Sequence, residues 1–243
     1  MRPAVVLLAG GSGTRVGAGV NKVLLDLAGE PVLVRALRTA LAVPDVVRVV
    51  LVVRPEDEQL VAAAVAPHLG EREVLLVHGG ATRHASELAA LAALEQDLLS
   101  GDVDVVALHD AARPLARPEL FTRALEAAEA QGGAVPAVEL PALVRRDGGP
   151  VADLTGDART VGVQTPQAFR GHDLLAAYRW ADASGVEATD TAGCVSAWAA
   201  ATGTDLAVVA VPSSPANLKV TYAEDVPAAV ALLDARTPGL TGW

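Results

Sequence analysis

The run Val5-Val6-Leu7-Leu8-Ala9-Gly10-Gly11-Ser12-Gly13-Thr14-Arg15, followed by Lys22, sets the reading of the whole chain. Four apolar residues lead into a turn of small residues, the pattern of a buried strand that empties into a glycine-rich loop. Such a loop leaves backbone N–H groups free to point at an anion. Arg15 and Lys22, seven positions apart, predict that the anion is a polyphosphate whose charge changes during reaction. Two better-known phosphate templates do not fit. A P-loop needs Gly, four residues, then Gly-Lys-Ser/Thr, and the dinucleotide fingerprint needs a third glycine where Val16 stands, with Gly17 one place late. The segment Ala4 to Ala9 is too short for a signal-peptide core or a membrane span.

Composition supports the same reading. Of 243 residues, 51% are hydrophobic but only 3% aromatic, so the core must be built from Val, Leu and Ala. That suits parallel strands buried on both faces by Ala/Leu-rich helices. A net charge of −10 argues against a nucleic-acid or membrane partner, and requires the cations for a polyanion to be gathered in the site. Only two lysines, Lys22 and Lys219, stand against seventeen arginines. They mark places that want a compact ammonium rather than a planar fork. The single cysteine, Cys194, leaves no disulfide framework within the chain and fits a reducing cytoplasm.

Apolar runs alternate with amphipathic stretches, as in repeated βα units. Strands are predicted at Ala4–Ala9, Val46–Val53, Glu73–Val77, Val103–Leu108, Ala134–Val138 and Leu206–Val211. Helices are predicted at Pro31–Leu41, Glu56–His68, Arg83–Leu99, Pro118–Gln131, His172–Ser184, Thr191–Thr202 and Ala223–Ala235. On Arg83–Leu99 the spacing of Leu88, Leu91 and Ala92 predicts the apolar stripe. Pro118 opens one helix and Gly132-Gly133 closes it. Between residues 140 and 162, Pro141, Gly148-Gly149-Pro150 and Gly156 interrupt the pattern amid charges. A protruding β-hairpin arm is predicted there, turning at Asp147–Pro150. No repeat or linker divides the chain, so 1–243 reads as one α/β domain. Its mostly parallel, twisted, Rossmann-like sheet is flanked by helices and carries the arm. Ligands bind beyond the carboxyl ends of such strands. Gly10–Arg15, His78-Gly79-Gly80 and His109-Asp110-Ala111-Ala112-Arg113-Pro114 all fall there.

Ala-Gly-Gly-Ser-Gly-Thr-Arg followed by a lysine resembles the signature of sugar nucleotidyltransferases. The hexad His109–Pro114 is similar to that of 2-C-methyl-D-erythritol 4-phosphate cytidylyltransferases and of the related ribitol-5-phosphate cytidylyltransferases. Further matches are Gly79-Gly80 with Arg83 and Ser86, Gln164-Thr165-Pro166-Gln167-Ala168-Phe169, Thr189-Asp190, and Asn217-Leu218-Lys219-Val220-Thr221 with Glu224-Asp225. They run in consistent order along the chain. The resemblance implies CMP transfer from CTP to a sugar or polyol phosphate, with Mg²⁺. Ala9, Gly10, Gly80, Ala81 and Ser86 would border the cytosine, and Gly11 and Gly13 would complete the nucleotide loop. Asp110 would hold Mg²⁺ with Arg113 beside it, and Arg15 and Lys22 would stabilise the transition state. Lys219 would hold the acceptor phosphate, with Thr165 and Thr189 lining that pocket. A homodimer through the arm is implied as well. The phosphate acceptor needs no general base, so His109, His78 and His84 are expected to be local hydrogen-bonding residues.

The chain departs from the family's pattern at three places. Ala142-Leu143 stand where relatives carry Asp-Thr, and Asp157 where they carry an arginine. Arg159, on the same strand face as Asp157, would supply that cation, with Arg145 and Arg146 in reserve. Asn21 replaces a proline before Lys22 and is expected to loosen the loop. Methylerythritol phosphate is the expected acceptor. Ribitol 5-phosphate or another polyol phosphate is the alternative, and a nucleotide-binding regulatory homologue is the alternative of another class. The misplaced glycine disfavours a dinucleotide oxidoreductase.

Overall fold

The computed structural model describes residues 1–11, 21–140 and 160–235. Eight strands form one sheet: β1 (Pro3–Leu8), β2 (Arg48–Val53), β3 (Leu75–His78), β4 (Val105–Asp110), β5 (Gly132–Glu139), β6 (Val161–Val163), β7 (Gln167–Arg170) and β8 (Ala207–Pro212). The sheet order is β3-β2-β1-β4-β7-β5-β6, with β8 alongside β5. β1 pairs in parallel with β2 and β4, β2 with β3, and β5 with β8. The short β7 runs antiparallel between β4 and β5. Two strands at the sheet's middle, β1 and β4, are connected outward to opposite sides. Their carboxyl ends therefore form a switch point, where an open α/β sheet leaves a crevice for ligand.

The predicted two-faced burial is observed. Val5 and Leu7 of β1 face one core cluster, Ala4 and Val6 the other. α1 (Val32–Leu41), α2 (Glu58–Val65) and α4 (Pro118–Gln131) cover the first face, through residues such as Leu33, Val61 and Phe121. α3 (Arg83–Ser100), α5 (Gly171–Ser184) and α6 (Thr191–Thr202) cover the second, through Leu91, Tyr178 and Val195. α7 (Asp225–Asp234) packs at a corner with Leu27 and Val220. Among the described residues no helix is long and apolar enough to cross a membrane.

Several predictions need correction. The helix expected over Glu56–His68 is interrupted: Pro55 and Pro67 draw its ends into 3₁₀ turns, leaving α over Glu58–Val65. β7 was not predicted as a strand; it is four residues long and follows Pro166. Gly132 caps α4 at φ 107° and is already the first residue of β5, so no loop separates them. The buried stripe of α3 is Ala90, Leu91, Leu94 and Leu98 together with Ser86 and Glu87, whereas Ala92 is exposed. The predicted arm lies mostly outside the described residues. At its base, Ala137, Val138 and Glu139 pair antiparallel with Val163, Gly162 and Val161.

Candidate active site

A cavity of about 660 Å³ opens at the switch point. One wall is Gly10 and Gly11 after β1, a second is Gly79–Thr82 with Ser86, and Lys22, Arg54, Arg83 and Lys219 bring positive charge around Asp110. The glycines matter sterically. A Cβ on Gly79 would stand 2.7 Å from Ser86 Oγ, and one on Gly80 would overlap the Ala85 methyl. The turn can therefore lie flat against the start of α3 only without side chains. Thr82 then caps α3, its hydroxyl accepting from Ala85 N–H at 3.1 Å.

Asp110 ends β4 and is the electrostatic centre of the cavity. Arg83 Nη1 donates to its Oδ1 at 2.5 Å, and Lys219 Nζ lies 2.6 Å from its Oδ2. Burial opposes its ionisation, but Arg83 and Lys219 outweigh that and hold the carboxyl well below the usual range. Behind it stands a chain of hydrogen bonds. The Arg113 carbonyl can only accept, so His109 Nε2, 3.2 Å away, carries the proton. Nδ1 of the neutral ring then accepts from Thr165 Oγ1 at 3.0 Å, and the same oxygen accepts from Asp110 N–H at 3.0 Å. Burial lowers the His109 pKa from 6.5 to about 4, so the ring stays neutral at ordinary pH.

Lys22 is held from below by Asn21. This side chain is buried; its Oδ1 accepts from Val23 N–H, and its Nδ2 donates to Ala9 O at 3.0 Å and Asp57 Oδ2 at 2.8 Å. Arg54 in turn donates to Asp57 Oδ2 at 2.7 Å. Residues 12–20 of the loop lie outside the described residues; on its described side Asn21 anchors the turn instead of loosening it. A proline would lack these bonds; asparagine ties the Lys22 turn to β1 and to the segment after β2.

Of the predicted site residues, Gly10, Gly11, Lys22, Gly80, Ala81, Ser86, Asp110 and Lys219 meet around this one cavity. Ala9 is buried outside its lining, with its N–H bonded to Val52 O and its carbonyl accepting from Asn21. Arg113 lies behind Asp110, donating to Asn217 O at 2.7 Å with its Nε 4.0 Å from Asp110 Oδ2. The Thr165 hydroxyl is committed to His109 and Asp110, and Thr189 is exposed just before the α6 cap, Asp190. Gly13, Arg15 and Arg159 lie outside the described residues, as do Ala142, Leu143, Arg145, Arg146 and Asp157. His78 pairs with Glu58 at 2.8 Å. His84 corrects its prediction: it stacks on Tyr178 at 4.8 Å, and neither ring nitrogen has a hydrogen-bond partner among the described residues. Sequence reasoning gave Arg83 and Glu87 no role, although their i, i+4 spacing on one helix was visible.

A switch-point crevice floored by glycines and ringed by cations about one ionised aspartate defines a nucleotidyltransferase of the α/β class. Comparison with known proteins narrows this. The family model described as "2-C-methyl-D-erythritol 4-phosphate cytidylyltransferase" matches residues 4–235. The enzyme of that name from Cereibacter sphaeroides is 38% identical over 234 residues, covering 96% of this chain and 97% of its own. A bifunctional enzyme IspD/IspF from Bradyrhizobium diazoefficiens is also 38% identical, over 92% of this chain, which spans about half (54%) of that relative's length. The fold matches the crystal structure of 4-diphosphocytidyl-2C-methyl-D-erythritol synthase from Anaerococcus prevotii with a TM-score of 0.78, covering 96% of both chains at 24% identity. The chain belongs to the 2-C-methyl-D-erythritol 4-phosphate cytidylyltransferase family and is accordingly a CTP-dependent nucleotidyltransferase.

Proposed function

We propose that the protein transfers CMP from CTP to 2-C-methyl-D-erythritol 4-phosphate. The products are 4-diphosphocytidyl-2-C-methyl-D-erythritol and pyrophosphate, a step of the non-mevalonate route to isoprenoid precursors. The observation that carries this reading is the cavity itself, lined at once by the close-packed Gly79-Gly80 turn, by Asp110 and by Lys22, Arg83 and Lys219. The flat wall suits a pyrimidine edge, and the cations suit a triphosphate.

A phosphomonoester is already anionic near neutral pH, so its oxygen attacks the α-phosphorus without a base, and the bond to pyrophosphate breaks on the opposite side. Neutral, buried His109 fits that scheme by orienting Thr165 and Asp110. The obstacle is bringing two polyanions together. Lys22 and Arg15 would meet the charge developing on the transferred phosphoryl group, and Lys219 the acceptor phosphate. Asp110 has the chemistry of a Mg²⁺ ligand: a single ionised carboxylate, the donor a hard cation takes together with phosphate oxygens and water. Mg²⁺ held there would neutralise the charge of the leaving pyrophosphate. Arg113, Thr165 and Thr189 are proposed to serve the acceptor side, with Arg159 from the arm of a homodimer. The buried free thiol of Cys194 supports a reducing, cytoplasmic setting.

Pyrophosphate release with CTP, Mg²⁺ and a panel of polyol phosphates tests the reading. Turnover with methylerythritol phosphate is expected. Release only with ribitol 5-phosphate or another polyol phosphate would transfer the assignment to that acceptor. CTP binding without release from any acceptor would leave a nucleotide-binding regulator.

A further inference from the structure

Glu87 lies one helical turn after Arg83 on the buried stripe of α3 and is only 1% exposed. Its Oε1 accepts from Arg83 Nε at 2.9 Å and from Thr191 Oγ1 at 2.8 Å, and its Oε2 accepts from the Tyr178 hydroxyl. These contacts tie the carboxylate to three different helices, α3, α5 and α6. Around it the packing is apolar, with Ala90, Leu91 and Cys194 in the same cluster. Burying a carboxylate there is expensive, and replacing buried ion pairs by well-packed hydrocarbon is often stabilising. Stability alone does not explain its presence.

Two things hang on it. Arg83 is forked: Nε is committed to Glu87 and Nη1 to Asp110, which fixes the guanidinium plane at the cavity wall. Thr191 is the first residue of α6, immediately after Thr189 and Asp190. That helix start is also pinned from β7, where Gln167 Nε2 donates to Asp190 Oδ2 and Gln167 Oε1 accepts from Ala192 N–H, both at 3.0 Å. One carboxylate thus joins the nucleotide wall to the loop assigned to the acceptor. We infer that Glu87 is a positioning residue that, through Arg83 and Thr191, holds the CTP and acceptor subsites in fixed register. The inference rests on the cytidylyltransferase reading above.

The test is steady-state kinetics of Glu87→Gln, Thr191→Val and the double variant, with CTP binding by calorimetry and thermal melting alongside. Gln preserves shape but removes the charge that fixes Arg83 and turns one acceptor oxygen into an amide donor, so the donors from Arg83, Thr191 and Tyr178 can no longer all be accepted and the link is cut. For Glu87→Gln, KM for CTP and KM for the acceptor are both expected to rise, each on the order of tenfold, the scale of couplings between directly contacting residues. Calorimetry should show the same loss of CTP affinity without acceptor. Thr191→Val should raise the acceptor KM alone, and add nothing in the Glu87→Gln background because the link is already cut. Lowered melting temperature with both KM values unchanged in Glu87→Gln would overturn the inference and leave Glu87 a packing residue. Full additivity of the two substitutions would overturn it as well, and Thr191→Val alone remains decisive if Glu87→Gln does not fold, since an unchanged acceptor KM refutes the link. Absence of pyrophosphate release by the unaltered protein would instead refute the function on which the inference rests.

Discussion

His109 offers a prediction whose sign and size follow from the structure. In the folded protein its ring must be neutral, because Nε2–H serves the Arg113 carbonyl while bare Nδ1 receives the Thr165 hydroxyl. Burial places its pKa at about 4 against 6.5 when exposed. Between those values the unfolded chain binds a proton that the folded chain refuses, so stability falls as pH drops from 6.5 towards 4 and loses nothing further from this residue below that. At about 1.4 kcal/mol per unit the full interval amounts to about 3 kcal/mol. Asp110 acts in the same sense but at lower pH: its folded pKa is also depressed, so its contribution persists above its unfolded value near 3.9 and is lost only in stronger acid. The two windows scarcely overlap. Urea unfolding of the wild type and of His109→Asn at pH 7.5 and 4.5 separates the residue from the remaining titrations, which are common to both. The wild type should lose about 2.5 kcal/mol more than the variant over that interval, which stops just short of the folded pKa. Equal losses would refute the buried neutral ring, and so would an activity limb near pH 6.5 that disappears with the substitution.

Other perturbations follow from the same geometry. Lys22→Ala and Arg15→Ala should each lower turnover by orders of magnitude, on the order of 10²-fold or more as for other transition-state donors, with unchanged melting; near-normal turnover in either would remove it from the mechanism. Asn21→Ala deletes a cap, a bond to Ala9 O and a bond to a buried carboxylate, so it should cost about 3 kcal/mol by denaturant unfolding and raise KM for CTP. A cost below about 1 kcal/mol would show that the three bonds do not anchor the turn. Gly80→Ala would press a methyl onto Ala85, so calorimetry should find CTP affinity sharply reduced and unfolding a loss of about 1–3 kcal/mol.

What the sequence displayed and what it hid divide along range. The Val/Leu/Ala core, the end of α4 at Gly132 and the Pro118 start were legible because burial period, caps and breakers act over a few residues. The strand-end motifs could be placed beyond a parallel sheet, since β1 and β4 announce themselves as apolar runs. β7 was hidden because four residues carry no period, and its strand character comes from pairing with β4 and β5. On α3, Leu88 and Leu91 do face the core but Ala92 is exposed, and the buried stripe runs on through Ser86, Glu87, Ala90, Leu94 and Leu98, so an apolar pattern could not mark Glu87. Partners 27 residues away for Arg83 and 104 away for Glu87 cannot be found by spacing at all. The same contrast explains why a lysine count was informative.

Both lysines line one cavity of a protein that otherwise writes arginine, and neither needs a planar fork there. Lys219 sits on a single carboxylate oxygen of Asp110, whereas Arg83 must span two acids at once, Asp110 and Glu87. A compact ammonium can move from Asp110 to an incoming phosphate by rotating a flexible stem; a guanidinium fixed at two points cannot. The site therefore combines one cation set in place with one free to be exchanged. On this basis Lys219→Arg, though it keeps the charge, should retain CTP binding but lose turnover with the acceptor. Wild-type turnover in Lys219→Arg would refute the distinction between the two cations.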